Sequence, residues 1–417
     1  MNCLMNTRGS ELRDFLRCGN LPTLISSLLY FDVSFMIWVM LGALGNYIAS
    51  DFGLSPAEKG LMTALPLLSG SVMRLVLGML ADQIGGRRAG LTGLTLSLAP
   101  LLLGWLFAGA FPQVLLLGLL LGVAGASFAV ALPLASRWYP SRHQGLAMGI
   151  AGAGNSGTVI AALLAPRLAE ALGWHAVFGL ALAPLSLVLA VFYLLAKDSP
   201  NQAPKQTLGS YFSALRKADT LLFCLFYGVT FGGFVGLTSF LSILFHDEFG
   251  ISKVRAGELA AAVAVSGSLA RPIGGYLSDR FGGVAVLTPI YLSAGALLFL
   301  VSDLPAIPVT FALLVMIGAT LGMGNGSVFQ LISQRFHREM GGITGITGAA
   351  GGIGGFAFPF LLGFSKDITG SYGGGFLLFG ALAMACSYLL VTALRGWQVG
   401  WTPAPREEMR LEEVNNA

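Results

Sequence analysis

Residues 74–88 read RLVLGMLADQIGGRR, and residues 271–283 read RPIGGYLSDRFGG. Five identical residues recur at one offset of 197 positions: Arg74, Gly78, Asp82, Gly85 and Gly86 match Arg271, Gly275, Asp279, Gly282 and Gly283. Five matches at a single offset indicate an internal repeat. A second match, at an offset of 196, pairs GIAGA at 149–153 with GITGA at 345–349. The sequence therefore predicts two related halves.

The composition predicts that this repeat lies in a membrane. Only 11% of the 417 residues are charged and 55% are hydrophobic, whereas a soluble domain has about 25% charged residues. Apolar stretches of about 20 residues, long enough to cross a hydrocarbon core of about 30 Å as a helix, recur from Leu28 to Arg395. We therefore predict an all-α polytopic membrane protein with twelve transmembrane helices. The predicted spans are 22–50, 60–82, 90–110, 113–136, 145–170, 174–196, 220–245, 257–279, 284–303, 306–333, 342–367 and 373–396.

The longest polar connection falls between the sixth and seventh spans, and its Pro200 and Pro204 suit a flexible cytoplasmic linker. It divides the chain into two pseudo-symmetric six-helix bundles. The predicted regions are a cytoplasmic tail at 1–21, a bundle at 22–196, the linker at 197–219, a bundle at 220–396 and a cytoplasmic tail at 397–417. Because no apolar run precedes Leu21, we expect no cleavable signal peptide and a first helix that serves as its own signal.

The positive charges fix the expected orientation. The predicted outer loops contain only Lys59, Arg167, Lys253, Arg255 and Lys366. Arg74 and Arg271 lie within spans, which leaves 17 of the 24 Lys and Arg residues for the cytoplasmic side. Since positive residues favour that side, both termini are predicted to be cytoplasmic, in a multi-pass protein of the cell inner membrane. No nucleic-acid partner is expected.

Arg74 and Arg271 are the residues whose position demands an explanation. Each lies eight residues before the repeated Asp, or about 12 Å from the helix end, which is too far for an arginine to snorkel. A charge at that depth needs a watery cavity or a counter-charge. Buried carboxylates are one alternative, but the spans contain one central acid, Asp32, for two arginines. An anion site is therefore the favoured interpretation.

A planar guanidinium with parallel N–H donors suits a flat oxyanion. Two arginines, one from each half, can clamp one anion, and duplicated bundles usually place the substrate site at their interface near the bilayer midplane. Arginine alone does not distinguish a trigonal anion from sulfate, phosphate or a carboxylate.

The repeated loop resembles the signature of the major facilitator superfamily, which is specific for that fold. Asp82 and Arg87, with Asp279 and Arg280 as their counterparts, are predicted to form cytoplasmic gate loops. In this interpretation the Asp accepts from backbone N–H groups at a neighbouring helix end, and the Arg residues pair with it. The alternative is a tight loop with ordinary cytoplasmic charge.

The glycine-rich segments extend the resemblance from the superfamily to one family within it. Gly149-x-x-Gly152-x-Gly154-Asn155 in the fifth span and Gly345-x-x-Gly348-x-x-Gly351 in the eleventh resemble the paired signatures of the nitrate/nitrite porter family. This resemblance covers nearly the whole chain and includes both arginines. It implies that Asn155 and Tyr227 contact the anion, and that the rings of Phe128 and Phe231 sandwich it.

The residues themselves leave several of these roles open. Tyr227 and Phe231 are four apart and share a helix face. The glycines equally suit close helix packing or substrate contact. Phe128 can be a core side chain, and Asn155 can be satisfied by an interhelical hydrogen bond.

The sequence thus predicts a secondary active transporter that moves nitrate, nitrite or both by alternating access. Another small anion, such as a carboxylate, is the alternative substrate, and a passive channel is an alternative mechanism. Asp32 is the candidate proton-coupling residue, and a fixed salt bridge or a helix cap are its alternative roles. The resemblance implies that purely exchanging relatives do without such an acid, so it favours nitrate/proton symport over nitrate/nitrite exchange. An enzyme is not expected, because the spans contain no paired carboxylates, Cys or His cluster, or activated nucleophile. No cofactor or metal is predicted, and the protein is expected to be a monomer.

Overall fold

The structure is a computed structural model that describes residues 15–200, 215–335 and 340–400, together with residue 209. The described residues form helices and connecting turns, with no strand among them. Outside the described residues lie residues 1–14 and 401–417 of the predicted tails and most of 201–214 in the predicted linker.

From residue 21 onward, the described part of the first half contains the following α-helices, several of which are segments of one span. They are α1 (Leu21–Trp38), α2 (Met40–Ala43), α3 (Gly45–Phe52), α4 (Pro56–Ile84), α5 (Gly86–Leu96), α6 (Leu98–Leu106), α7 (Phe111–Gly125), α8 (Phe128–Ser136), α9 (Ser141–Gly152), α10 (Gly157–Leu172) and α11 (Trp174–Leu195). A short 3₁₀ segment, Ala153–Ser156, joins α9 to α10.

The second half has longer unbroken helices. They are α12 (Ala218–Tyr227), α13 (Gly233–Phe249), α14 (Lys253–Phe281), α15 (Gly283–Val301), α16 (Ile307–Arg335), α17 (Met340–Thr369) and α18 (Gly373–Gly400). A π-helical turn, Gly228–Gly232, joins α12 to α13.

Local sequence signals set the helix starts. The Asn20 side chain accepts from the Thr23 amide at 2.9 Å, and Ser55 and Glu58 form a reciprocal capping box at the start of α4. These side chains satisfy backbone N–H groups that have no partner within the helix. The repeated loops use glycine for a different reason: Gly85 and Gly282 have φ values of 93° and 91°, which only glycine adopts easily.

Among the described residues, eleven helical segments are long and apolar enough to cross a membrane. The remaining long helix, α14, has 29 residues, the same length as α4, but it is less apolar because it combines Arg271 with many small and charged residues. Large apolar side chains such as Leu187, Leu269 and Ile368 are exposed, while Arg74 and Asn155 are buried. Exposed apolar side chains and buried polar side chains are the reverse of the pattern in soluble proteins and fit a lipid environment. The predicted twelve-helix fold class is confirmed.

Five predicted spans are not continuous α-helices, since the third is interrupted at Ser97 and the fourth at Ala126 and Ser127. The first is broken after Trp38 and again at Leu44, and the fifth and seventh contain the 3₁₀ and π segments. Glycine explains the breaks in the fifth and seventh spans, because these segments lie where another backbone approaches closely. A Cβ atom on Gly354 would overlap the Gly228 carbonyl, and one on Gly157 would overlap the Asp32 carbonyl.

The contacts between the two halves are most extensive at three helix pairs. The backbones of α4 and α17 touch at Gly60 and Gly363, and α10 packs on α14 where Gly257 faces Pro166. In the third pair, α2 contacts α13, where Gly42 faces the Ser239 carbonyl. Small residues at these crossings let the backbones approach closely, which is how helices associate in lipid.

Candidate functional site

Arg74 lies in the middle of α4 at the interface between the halves, with 2% of its surface exposed. Its Nε donates to the Gly125 carbonyl at 3.1 Å, and its Nη1 donates to the Gly348 carbonyl at 2.6 Å. Gly125 belongs to the first half and Gly348 to the second. The guanidinium therefore links the two halves through backbone carbonyls, which carry no net charge to neutralise it.

Three aromatic rings surround this guanidinium. The distance from Arg74 Cζ to the ring centroid is 5.0 Å for Trp38, 5.5 Å for Phe128 and 5.0 Å for Phe231. These distances are within the range of cation–π attraction. The two phenylalanines expected to sandwich an anion thus lie against one of the predicted anion-binding arginines.

Tyr227 and Phe231 lie on the same helix face, as their spacing predicts. Their rings stack with centroids 5.0 Å apart and planes 6° apart, although a π-helical turn replaces the predicted α-helix between them. A Cβ atom on Gly351 would come within 2.7 Å of the Tyr227 ring, so the eleventh-span glycine makes room for this stack. Phe329 contacts Tyr227 edge-on at 4.8 Å and Phe128 at 6.3 Å, which connects the aromatic groups of the two halves.

Four polar atoms at these predicted site residues have no hydrogen-bond partner of regular geometry among the residues that the structure describes: Arg74 Nη2, Arg271 Nη1, the Tyr227 hydroxyl and Asn155 Oδ1. We call these four atoms the unpaired set. The Tyr227 hydroxyl lies within side-chain hydrogen-bonding reach of Arg271, both arginines act on it electrostatically, and the like charges of the two guanidinium groups repel each other. Since buried polar groups are normally paired, the two arginine nitrogens and the Tyr227 hydroxyl favour a missing acceptor, whereas Asn155 Oδ1 is itself an acceptor and lacks a donor.

Asp32 and Asn155 are connected through the 3₁₀ segment. The Ser156 hydroxyl donates to Asp32 Oδ1 at 2.6 Å, and Gly154 and Gly157 pack directly against the Asp32 backbone. The ion pairs found among the described residues do not include Asp32. The structure thus gives the carboxylate a hydroxyl partner and not the arginine partner that one alternative required.

The signature glycines divide into two groups. Gly154 and Gly351 belong to the first group, because they have no side chain where the Phe31 ring and the Tyr227 ring pack against them. Cβ atoms on Gly149 and Gly152 would meet no described atom within 4 Å. Gly348 presents its carbonyl to Arg74, and Gly345 is half-buried in α17. Packing therefore accounts for some of these glycines, while the open space beside others is available to a ligand or to helix movement.

The gate-loop residues make contacts that differ from the predicted pairing. Asp82 forms an ion pair with Arg137 at 3.2 Å instead of with the loop arginines. Arg87 donates to the Tyr193 carbonyl at 2.8 Å, and its backbone N–H donates to Asp198 at 2.8 Å. In the second copy, Asp279 is exposed and Arg280 lies over the neighbouring Phe281 ring. Sequence spacing could not identify Arg137, because it approaches Asp82 from a different helix.

Polar contacts between the halves concentrate at the predicted outer ends of the helices. Lys59 pairs with Asp247 at 2.6 Å, Arg167 pairs with Glu258, and Asn46 donates to the Ser242 carbonyl at 2.8 Å. The described ion pairs at the predicted cytoplasmic ends stay within one half, such as Arg335 with Asp219 at 2.8 Å. The structure is therefore closed on the predicted outer side of the arginines.

Sequence reasoning did not select Trp38, whose ring lies on Arg74. The available signal was its position, since tryptophan in membrane proteins is enriched at the water interface and Trp38 lies in the middle of the first span. Eleven apolar spans and the long helix α14 in the described chain, with a buried Arg74 and a half-buried Arg271 in two of these helices, are typical of a polytopic membrane transporter.

Comparison with known proteins places this transporter in a family. Residues 26–359 match the Major Facilitator Superfamily. The chain is 33% identical to the nitrite extrusion protein of Bacillus subtilis, over 86% of this chain and 90% of that protein. It is also 33% identical to the probable nitrate/nitrite antiporter NarK1 of Thermus thermophilus, over 85% and 87% of the respective chains. The probable nitrate transporter NarT of Staphylococcus haemolyticus is 33% identical over 84% and 92%.

Among solved structures, the chain is similar to a bacterial homologue of the human lysosomal transporter Spinster in an inward-facing and occupied conformation. The TM-score is 0.69 at 19% identity, covering 91% of this chain and 98% of the other, and this likeness supports the fold alone. The chain belongs to the major facilitator superfamily and, within it, to the nitrate/nitrite porter family. It is a transporter and not an enzyme.

Proposed function

We propose that this protein is a secondary active transporter that carries nitrate, nitrite or both across the cytoplasmic membrane by alternating access. The observation that carries the proposal is the unpaired set between the halves, in which Arg74 and Arg271 each contribute a terminal nitrogen. Two guanidinium groups that repel each other are stabilised together by one anion held between them. The relatives named for nitrate and nitrite supply the identity of that anion.

The donors around the proposed site suit a small trigonal oxyanion. Arg74 Nη2, Arg271 Nη1 and the Tyr227 hydroxyl can each donate to an oxygen, and the flat faces of Phe128 and Phe231 match a flat ligand. A carboxylate larger than formate adds an alkyl group that the site would have to hold, whereas nitrate and nitrite add none. Competition for uptake by nitrate over acetate is expected, and equal competition would favour the carboxylate alternative.

Asp32 supports proton symport as the coupling mechanism. It is the one acid well inside a predicted span, and its carboxylate is bound to Ser156, next to Asn155 of the proposed site. Protonation of Asp32 would weaken the hydrogen bond that its carboxylate accepts from Ser156. The conformation of the 3₁₀ segment, which contains both Ser156 and Asn155, would then change. Nitrate/nitrite exchange, which needs no such acid, is the alternative.

The transport cycle we propose uses the two bundles, 22–196 and 220–396, as moving parts and both gate loops as cytoplasmic latches. Both termini lie in the cytoplasm in this proposal, and the protein works as a monomer. The outer contacts of Lys59 and Arg167 break when the site opens outward.

The proposal is tested with purified protein in liposomes. Nitrate entry is measured into vesicles that are empty or loaded with nitrite, each with and without an inward proton gradient. Symport predicts entry into empty vesicles that depends on the gradient, and exchange predicts entry that depends on internal nitrite. Failure of nitrate to enter under all four conditions, together with failure of nitrite to enter empty vesicles, would refute the function itself.

A further inference from the structure

We propose that Trp38 is a positioning residue of the anion site, which holds the guanidinium plane of Arg74 in the orientation that binds a planar anion. This inference rests on the proposed function. Trp38 is fully buried and is the last residue of α1, where the first span breaks before α2 begins at Met40. Three contacts with other helices hold its ring in place at this break.

The first of these contacts is a hydrogen bond. A buried indole N–H requires an acceptor, and Trp38 Nε1 donates to the Pro66 carbonyl of α4 at 2.6 Å. Pro66 lies eight residues before Arg74 on the same helix. The bond therefore ties the ring to the helix that carries the arginine.

The second contact is a slot formed by two glycines. A Cβ atom on Gly70 would lie 2.9 Å from Trp38 Nε1, and one on Gly125 would overlap the indole ring. The ring thus occupies a space that exists only because α4 and α7 both carry glycine at this level. Any larger residue would displace it.

The third contact joins the indole to the guanidinium. The Gly125 carbonyl accepts from Arg74 Nε at 3.1 Å, and Arg74 Cζ lies 5.0 Å from the Trp38 ring centroid. One residue, Gly125, therefore makes room for the ring and also holds the arginine. Arginine has a long flexible side chain, and the Trp38 ring and the Gly125 carbonyl restrain its plane in addition to the Gly348 carbonyl and the two phenylalanine rings.

The test compares Trp38→Phe, which keeps a ring but loses the N–H donor, with Trp105→Phe as a matched control. Trp105 is a half-exposed tryptophan of α6, 46% accessible and outside the proposed site. Gly70→Ala provides an independent variant, because its methyl group pushes on the indole without changing Trp38. Each purified protein is assayed for nitrate KM and Vmax in liposomes, for nitrate affinity against chloride, and for Tm with and without nitrate.

We expect Trp38→Phe and Gly70→Ala to raise the nitrate KM about 2- to 12-fold, the range of one lost hydrogen bond that holds the ring against Arg74. The preference for planar nitrate over spherical chloride should fall, and nitrate should raise Tm less than in the wild type. Trp105→Phe should match the wild type.

An unchanged KM and nitrate/chloride preference in both variants would overturn the inference. So would a lower Tm and Vmax with an unchanged KM, since that pattern describes packing without positioning. A wild-type protein that neither transports nitrate nor is stabilised by it overturns the proposed function first, whereas normal wild-type transport with insensitive Trp38 variants overturns only the role of Trp38.

Discussion

Replacing either site arginine with lysine should abolish most anion binding even though the charge is kept. In the structure, Arg74 uses Nε for the Gly125 carbonyl, Nη1 for the Gly348 carbonyl and has Nη2 in the unpaired set. A lysine has one nitrogen, which cannot reach both carbonyls and also present a coplanar pair of donors to an anion. Arg74→Lys therefore loses at least one charge-assisted hydrogen bond.

A lost bond of this kind costs about 1.5 to 3 kcal/mol, which corresponds to about a 10- to 150-fold rise in nitrate Kd. The assay is calorimetric binding of nitrate to purified Arg74→Lys and Arg271→Lys, with uptake in liposomes as a second measurement. Arg335→Lys is the control, because Arg335 is a partly exposed arginine that pairs with Asp219 away from the proposed site.

The competing explanation is that the arginines only raise the electrostatic potential of the cavity, in which case any permanent cation serves equally well. Near-normal nitrate affinity in both lysine variants would refute the proposal that each arginine binds the anion through a coplanar pair of N–H donors. It would also remove much of the reason to prefer a planar oxyanion over other anions.

Three further perturbations test other parts of the proposal. Tyr227→Phe removes one donor of the unpaired set and should weaken nitrate binding by about 1 to 3 kcal/mol; unchanged Kd values for nitrate and nitrite would leave Tyr227 a packing residue. Asp32→Asn should abolish uptake driven by a proton gradient while exchange continues, and gradient-driven uptake that survives would exclude Asp32 as the coupling group. Lys59→Ala removes an ion pair between the halves with Asp247 and should favour the outward-open state. Faster hydrogen exchange in residues 360–366 at the outer end of α17 is the expected sign, and unchanged exchange would contradict it.

Much of the fold was predictable because membrane spans follow from length and apolar composition alone. The two arginines were predictable for a related reason: a charge at mid-span is so unfavourable that its position is informative. The repeat then placed Arg74 and Arg271 in equivalent helices of the two halves. The shared face of Tyr227 and Phe231 followed from helical spacing.

The features that could not be predicted depend on contacts between helices that are distant in sequence. The π turn at Gly228–Gly232 lies where α17 approaches, and nothing in its own five residues demands it. The partners of Asp82 and Asp32, which are Arg137 and Ser156, come from other helices. Trp38 looked like an ordinary apolar residue until the glycines of two neighbouring helices were seen to enclose it.

The hydrogen bond from Arg74 to the Gly348 carbonyl joins a side chain of one bundle to the backbone of the other. If the bundles rock against each other, an empty protein has to break this bond with nothing to replace it, whereas a bound anion can take over the donor. We therefore expect Arg74, which binds the anion, also to slow the movement of the bundles when no anion is bound. This restraint would suppress slippage, the turnover that dissipates an ion gradient without moving the anion. It would also make the return of the empty transporter the slowest step of the cycle.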